Sequence, residues 1–259
     1  MMGQESRAIV EICGVAGAGK STVCRQLKGH FSDALFELQL PRYQRWTMGA
    51  WEALRLCPLY VRLGFDGLFY PDLGFPGMFT YRIRILASLR VLHRTIQSQE
   101  HMTTGRIIFD QGPIFCQAFL LTVGSSFQPR DCLRSWIGRN VRDWTNILKG
   151  IIWLDAKDNT LVERVCRRDQ KHSLKRRSDT ERQEFFEGYR SAYNGLISMY
   201  EQAGIPVLRI STEENPVDVT ADKIALFLSR LSSHFAPGAS DWGAGKLPMP
   251  APADARGRS

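Results

Sequence analysis

Short apolar runs alternate along this chain with stretches whose apolar residues recur every three or four positions. "AIVEIC" at 8–13 is a β-branched run ending at Gly14, and it reads as a buried parallel strand. From Lys20 the period changes: Val23, Cys24, Leu27 and Phe31 repeat at helical spacing, with Gly29 near the end. "LFELQL" at 35–40, stopped by Pro41, predicts a second strand. "RIIFD" (106–110), "GIIWLD" (150–155) and "PVLRIS" (206–211) predict a third, fourth and fifth. Helical patterns fill the gaps. Ile85, Leu89, Leu92 and Ile96 line one helix; Phe185, Phe186, Tyr189, Tyr193, Leu196, Ile197 and Tyr200 line another, which stops at Gly204 with Pro206 just beyond. Ile224, Phe227, Leu228 and Leu231 line the last. Strands alternating with helices imply an α/β fold of three layers, a parallel sheet with helices on both faces.

Two regions break the rhythm. Residues 41–80 are rich in aromatic residues, Gly and Pro, and are too long for a plain crossover; an insertion of that length is either functional or a satellite packing element. Residues 236–259 hold six Ala, four Pro and four Gly without an apolar period, and are expected to be disordered. No internal repeat is present.

Length and composition narrow the class. The 259 residues suffice for one well-buried α/β domain or two small ones, and 44% hydrophobic with 23% charged residues is ordinary for a soluble globular protein. A formal charge of +8 suits an anionic partner without distinguishing nucleotide, phosphosugar, nucleic acid or membrane surface. The cysteines at 13, 24, 57, 116, 132 and 166 form no C-x-x-C pair, so a zinc ribbon or redox motif is not expected and a reducing compartment is. "MMGQESRAIVEICG" lacks the basic-then-apolar layout of a secretory signal, and no segment approaches a membrane span of about 18 apolar residues. The expected location is the cytoplasm.

The sharpest signal is "GVAGAGKST", Gly14 to Thr22, which fits G-x-x-x-x-G-K-[ST] in full. Glycines let the backbone curl so that successive N–H groups point at phosphate oxygens, and the helix opening at Lys20 adds its positive dipole end. Lys20 reaches the β- and γ-phosphates as a point charge, and Ser21 offers a hydroxyl to Mg²⁺. The motif follows a predicted strand and opens a predicted helix, the context it requires. Gly14, Val15, Ala16, Gly17, Ala18, Gly19, Lys20, Ser21 and Thr22 are therefore the expected nucleotide-phosphate residues.

Two further features bear on what is done with the phosphate. Asp110 ends the third strand, over the same sheet edge as the loop, where it can hold a Mg²⁺ water or take a proton from an acceptor. Asp155, at the end of the fourth strand, is a rival, and either could simply cap a helix. Gln111, Gly112 and Pro113 follow Asp110 where a motor ATPase commonly carries a second acid, and no N-K-x-D guanine motif is present. "ERVCRRDQKHSLKRR" (163–177) holds seven Lys/Arg; Arg164, Arg168, Lys171 and Lys175 recur at threes and fours and would share a helical face. Such a segment could close over phosphates as a kinase lid, or be a solvated basic helix or nucleic-acid patch. It carries little aromatic interleaving, which argues against a nucleic-acid partner.

With these segments in hand, the chain resembles the thymidylate kinase and deoxynucleoside kinase branch of the P-loop kinases. "EICGVAGAGKST" is similar to their first strand and loop, and "FDQGPIFCQAF" to their third-strand segment. "IIWLDAKDNTLVERVCRRD" is similar to their fourth strand and lid opening, "ERQEFFEGYRSAYNGL" to the helix after the lid, and "ILASLRVLHRTIQSQEHMTTGRIIFD" to their third helix and strand. The resemblance spans 8–230 and implies five parallel strands in the order 2-3-1-4-5, with ATP as donor and Mg²⁺ as cofactor. It implies Lys20, Asp110, Arg164 and Arg168 as the catalytic set, with Ser21 and Asp110 on the metal. Arg164 would stack on or near adenine, Arg168 would face the phosphates, and Arg42 and Arg90 would contact the acceptor.

The chain departs from the family at Cys13, where an acid usually precedes the first loop glycine, with Glu11 two residues earlier. It departs again at Ala16, often Asp, and at Gln111, usually Arg. The resulting expectation is an ATP-dependent kinase of a small-molecule acceptor, whether nucleoside, nucleotide, sugar or lipid-linked. The kinase domain would span 1–235, with an acceptor-side insertion at 41–105 and a lid at 163–180. A homodimer is compatible with the sequence. A P-loop NTPase that couples hydrolysis to conformation, and a regulatory nucleotide-binding module, stay open.

Overall fold

The computed structural model describes residues 8–31, 76–98, 106–122, 131–169 and 172–234. Four strands form one sheet: β1 (Ala8–Gly14), β2 (Arg106–Phe109), β3 (Gly150–Asp155) and β4 (Val207–Ser211), in the spatial order β2-β1-β3-β4. Every pairing is parallel, with Val10 opposite Ile108 and Cys13 opposite Trp153. The sheet thus has four strands among the described residues rather than the five expected; the strand expected at 35–40 lies outside them. So do Arg42, Cys57, the 41–75 part of the insertion and the 236–259 tail.

Among the described residues seven α-helices accompany these strands: α1 (Lys20–His30), α2 (Pro76–Ser98), α3 (Pro113–Thr122), α4 (Asp131–Thr145), α5 (Asp158–Arg167), α6 (Asp179–Gln202) and α7 (Val217–His234). α1 packs on α7, while α3 packs on α6 and α2. The two helix groups sit on opposite faces because strand side chains alternate. Val10 faces α7, and Glu11 faces the start of α3. Both inner strands are buried on both faces, which is why they read as apolar runs, broken in β1 only by Glu11. β4 is half exposed. Gly150 lets α7 close on the sheet: a Cβ there would lie 2.6 Å from Leu231 Cδ1 and 3.0 Å from Val10 Cγ1.

The helical periods place the core as the sequence predicts. Ile85, Leu89 and Ile96 of α2, Phe186, Tyr193, Leu196, Ile197 and Tyr200 of α6, and Ile224, Leu228 and Leu231 of α7 are buried. α6 opens on a capping box, Ser178 with Glu181, and closes at Gly204 with φ 86°. Cys13, Cys24, Cys116 and Cys166 are free thiols. Among the described residues no helix is long and apolar enough to cross a membrane.

One expected element differs. The basic face predicted from Arg164 to Lys175 does not lie on one helix: α5 ends at Arg167, Arg168 is extended (φ −74°, ψ 140°), and a 3₁₀ turn covers Ser173–Arg176. Val165 and Leu174 explain the break. Both are buried, yet nine residues of continuous α-helix would put them about half a turn apart, on opposite faces. The chain must leave the helix to bury both.

Phe186 is fully buried in α6 and stacks edge-on against Phe185. Phe186→Ala should lower the unfolding free energy by about 3–5 kcal/mol, read as a fall in the urea midpoint at an unchanged slope. A shift under about 1 kcal/mol would show that this helix face contributes little to the core.

Candidate active site

The loop between β1 and α1 is shaped by close approaches that only glycine allows. A Cβ on Gly14 would stand 2.2 Å from the Leu154 carbonyl oxygen of β3, and one on Gly17 would stand 2.7 Å from the Leu161 carbonyl oxygen of α5. Gly17 and Gly19 also hold φ at 88°, a region other L-residues rarely enter. Val15 and Ala18 are buried in the core, so they can serve a ligand only through their backbone. Ser21 and Thr22 are exposed. The Lys20 ammonium donates to the carbonyl oxygens of Gly14 (2.7 Å) and Val15 (3.0 Å). Burial pulls its pKa down and nearby Asp110 holds it up.

The two candidate acids have different company. Asp110 accepts a hydrogen bond from Ser21 Oγ at 3.0 Å, directly beside the loop. Asp155 is gripped by Arg190, whose Nε donates to Oδ2 at 2.8 Å and whose Nη2 donates to Oδ1 at 3.3 Å. Arg190 also pairs with Asp158 and donates to the Ala156 carbonyl at 2.7 Å. Asp155 therefore belongs to an ion-pair cluster that fixes the start of α5. Asp110 is the acid that shares a locus with the loop hydroxyl.

Glu11 is a third acid at this edge, one for which sequence reasoning supplied no role. It is fully buried in β1. Its Oε1 accepts from the backbone N–H of Gly112 (3.1 Å) and Phe115 (2.8 Å), and its Oε2 from that of Ile114 (2.8 Å). Burial pushes its pKa up to about 8, against the pull of those three amides. The available signal was an acid set inside a β-branched strand.

On the other side of the loop, Gly17, Gly19 and Thr22 border a cavity of about 310 Å³ whose far wall includes Arg164, Arg167, Arg168 and Thr212. Arg164 donates to Thr212 Oγ1 (2.8 Å) and to the Thr212 carbonyl (2.9 Å), and reaches the Gly17 carbonyl at 3.5 Å. It therefore ties the loop, α5 and the end of β4 together, a partnership the sequence did not reveal. Arg167 pairs with Glu163 at 2.6 Å. Arg168 is exposed, and its charge acts on Lys20. Arg90 lies exposed on α2, and is not among the residues that line this cavity.

No family model matches the chain, and no curated protein matches its sequence. Solved structures do match its shape. A deoxyadenosine kinase from M. mycoides with bound dATP is similar at TM-score 0.51 and 15% identity, over 85% of this chain and 99% of that one. The same enzyme with products dCMP and a flexible dCDP gives TM-score 0.51 and 14% identity, over 86% and 99%. The fold is that of the P-loop deoxynucleoside kinases.

Two outcomes test this geometry. Asp155→Asn should cost about 1–3 kcal/mol of stability by loosening Arg190, while leaving nucleotide affinity within about twofold; a reversed pattern would move the site's acid to Asp155. Glu11 has a raised pKa, so its contribution is present below pH 4.5 and is lost as pH rises toward 8. The stability advantage of the parent over Glu11→Gln should therefore be larger at pH 5 than at pH 8.5, measured by urea unfolding. An equal advantage at both would place the folded pKa near its ordinary value.

Proposed function

We propose that this protein is an ATP-dependent kinase. It transfers the γ-phosphoryl group to a hydroxyl or phosphate of a small acceptor: a nucleoside, a nucleotide, a sugar or a similar molecule. The observation that carries the reading is the 3.0 Å bond between Ser21 of the phosphate loop and Asp110 just after β2, on a loop whose Gly17, Gly19 and Thr22 border a cavity also lined by Arg164, Arg167 and Arg168. The M. mycoides structures, solved with dATP and with dCMP and dCDP, support a nucleoside or nucleotide as the acceptor class.

The residues present suit Mg²⁺. A hydroxyl and a carboxylate close together are hard oxygen donors, and Mg²⁺ in such enzymes takes one or two protein oxygens, with water and phosphate completing the shell. Among the described residues no cluster of three or more His, Cys, Asp or Glu could form an all-protein cage. Ser21 and Asp110 would hold the ion, which when bound offsets charge on the β- and γ-phosphates.

The chain's own groups do the rest. Backbone N–H groups of Gly17, Gly19, Lys20 and Ser21 would cradle the phosphates at the N-terminus of α1, while those of Ala18 and Thr22 donate to the Val15 and Gly19 carbonyls. Lys20 exchanges its two loop carbonyls for phosphate oxygens and neutralises the charge that develops there. Arg168 brings a second cation from α5's end, and Arg164 offers the cavity a guanidinium whose terminal nitrogens are already bonded to protein. Asp110 orients a metal-bound water or accepts the acceptor's proton.

Incubation with Mg·ATP and a panel of nucleosides, nucleotides and sugars should yield a phosphorylated product. No product from any acceptor would overturn the reading. Lys20→Ala should weaken ATP binding by about 10- to 150-fold, the value of one or two charge-assisted hydrogen bonds. Asp110→Asn should leave metal-free ATP binding intact and slow transfer by about 100- to 10,000-fold. Full transfer by Asp110→Asn would remove that residue from the mechanism.

A further inference from the structure

Glu11 stands out among the buried ionisable groups because it touches none of the reacting atoms and yet controls one that would. Its carboxylate crosses from the central strand to the start of α3 and accepts the N–H groups of Gly112, Ile114 and Phe115. The intervening residue, Pro113, has no N–H to offer. Cys116 N–H makes the first bond within the helix, to the Gly112 carbonyl at 3.1 Å. Glu11 thus meets every donor that the opening turn of α3 would leave without a partner.

The consequence falls on Asp110. Phe109 is the last residue of β2 and pairs with Glu11 in the strand register. Gly112 is bonded to the same Glu11 side chain. Only Asp110 and Gln111 lie between those two fixed points. The Asp110 carboxylate can face Ser21 because both ends of its turn are anchored to one residue of β1. Gly112 is fitted to this contact: a Cβ there would lie 2.7 Å from Glu11 Oε2 and 2.8 Å from its Cδ.

We infer that Glu11 is a positioning residue for the proposed phosphoryl transfer, setting the placement of Asp110 for the metal-bound nucleotide. The inference rests on the kinase reading and adds to it a residue that meets neither nucleotide nor metal. Glu11 acts through Asp110, so its effect belongs to the metal-dependent part of nucleotide binding. Lys20 and the loop amides, which grip phosphate without metal, are spared.

The test compares ATP affinity with and without Mg²⁺ in the parent, Glu11→Gln, Asp110→Asn and the double variant, alongside urea unfolding of each. The gain in affinity that Mg²⁺ confers should fall by about 10- to 100-fold in Glu11→Gln, with metal-free ATP affinity within about threefold. In the Asp110→Asn background, Glu11→Gln should cost no further gain while still lowering stability. A folded Glu11→Gln protein with the parent's Mg²⁺ gain overturns the inference, as does a full additional loss in the double variant. If Glu11→Gln does not fold, Gly112→Ala, which presses on the same carboxylate, carries the same expectations. A parent protein that fails to bind ATP overturns the kinase reading instead, so the two failures are distinguishable.

Discussion

A carboxyl group buried in the middle of a parallel sheet is the constraint around which this sheet edge is built. Burial there disfavours the ionised form and holds the pKa up at about 8, and three amide donors offset part of the cost of taking the group out of water. They have to come from somewhere rigid, and the start of α3 supplies them. Once α3 is tied to β1, the turn carrying Asp110 is short and held at both ends. Its register, the missing side chain at Gly112 and the bond to Ser21 then follow from one buried group.

A second set of contacts closes the opposite side. Gly14 permits the loop to sit against β3, and Gly17 permits it to sit against α5, each at a distance where a methyl group would collide with a backbone oxygen. Arg164 extends that chain of contacts to Thr212 at the end of β4. The carboxyl ends of all four strands are thereby drawn to one locus, the edge at which parallel α/β sheets bind their ligands. Basic residues from α5 line the cavity while most acids at the edge are already paired. Asp155 is held by Arg190, and Glu213 by Lys157 at 3.3 Å.

Where signals were local, the residues alone sufficed. The loop was legible because its chemistry depends on spacing within nine residues. β1 and β3 were legible because strands buried on both faces are almost wholly apolar, Glu11 being the exception within β1, and α6 because seven apolar residues keep one helical period to a glycine stop. The basic stretch after α5 misled because charge spacing is blind to the core. Burial of both Val165 and Leu174 forces the helix to end between them, and no count of arginines contains that requirement.

By itself, then, the sequence determined the layered α/β architecture and pointed to the loop and the candidate acids, because periodicity and motif spacing are properties of neighbouring residues. It favoured Asp110 over Asp155 from the residues around it, but each ends an apolar strand in the same way, and the sequence did not show that Arg190 holds Asp155. Nor could it show that Glu11 holds α3, or that Arg164 bonds Thr212. These last pairings join residues separated by 48 to 104 positions. Only the packing of helices on the sheet brings such residues within hydrogen-bonding distance, and so only the tertiary structure could reveal these contacts.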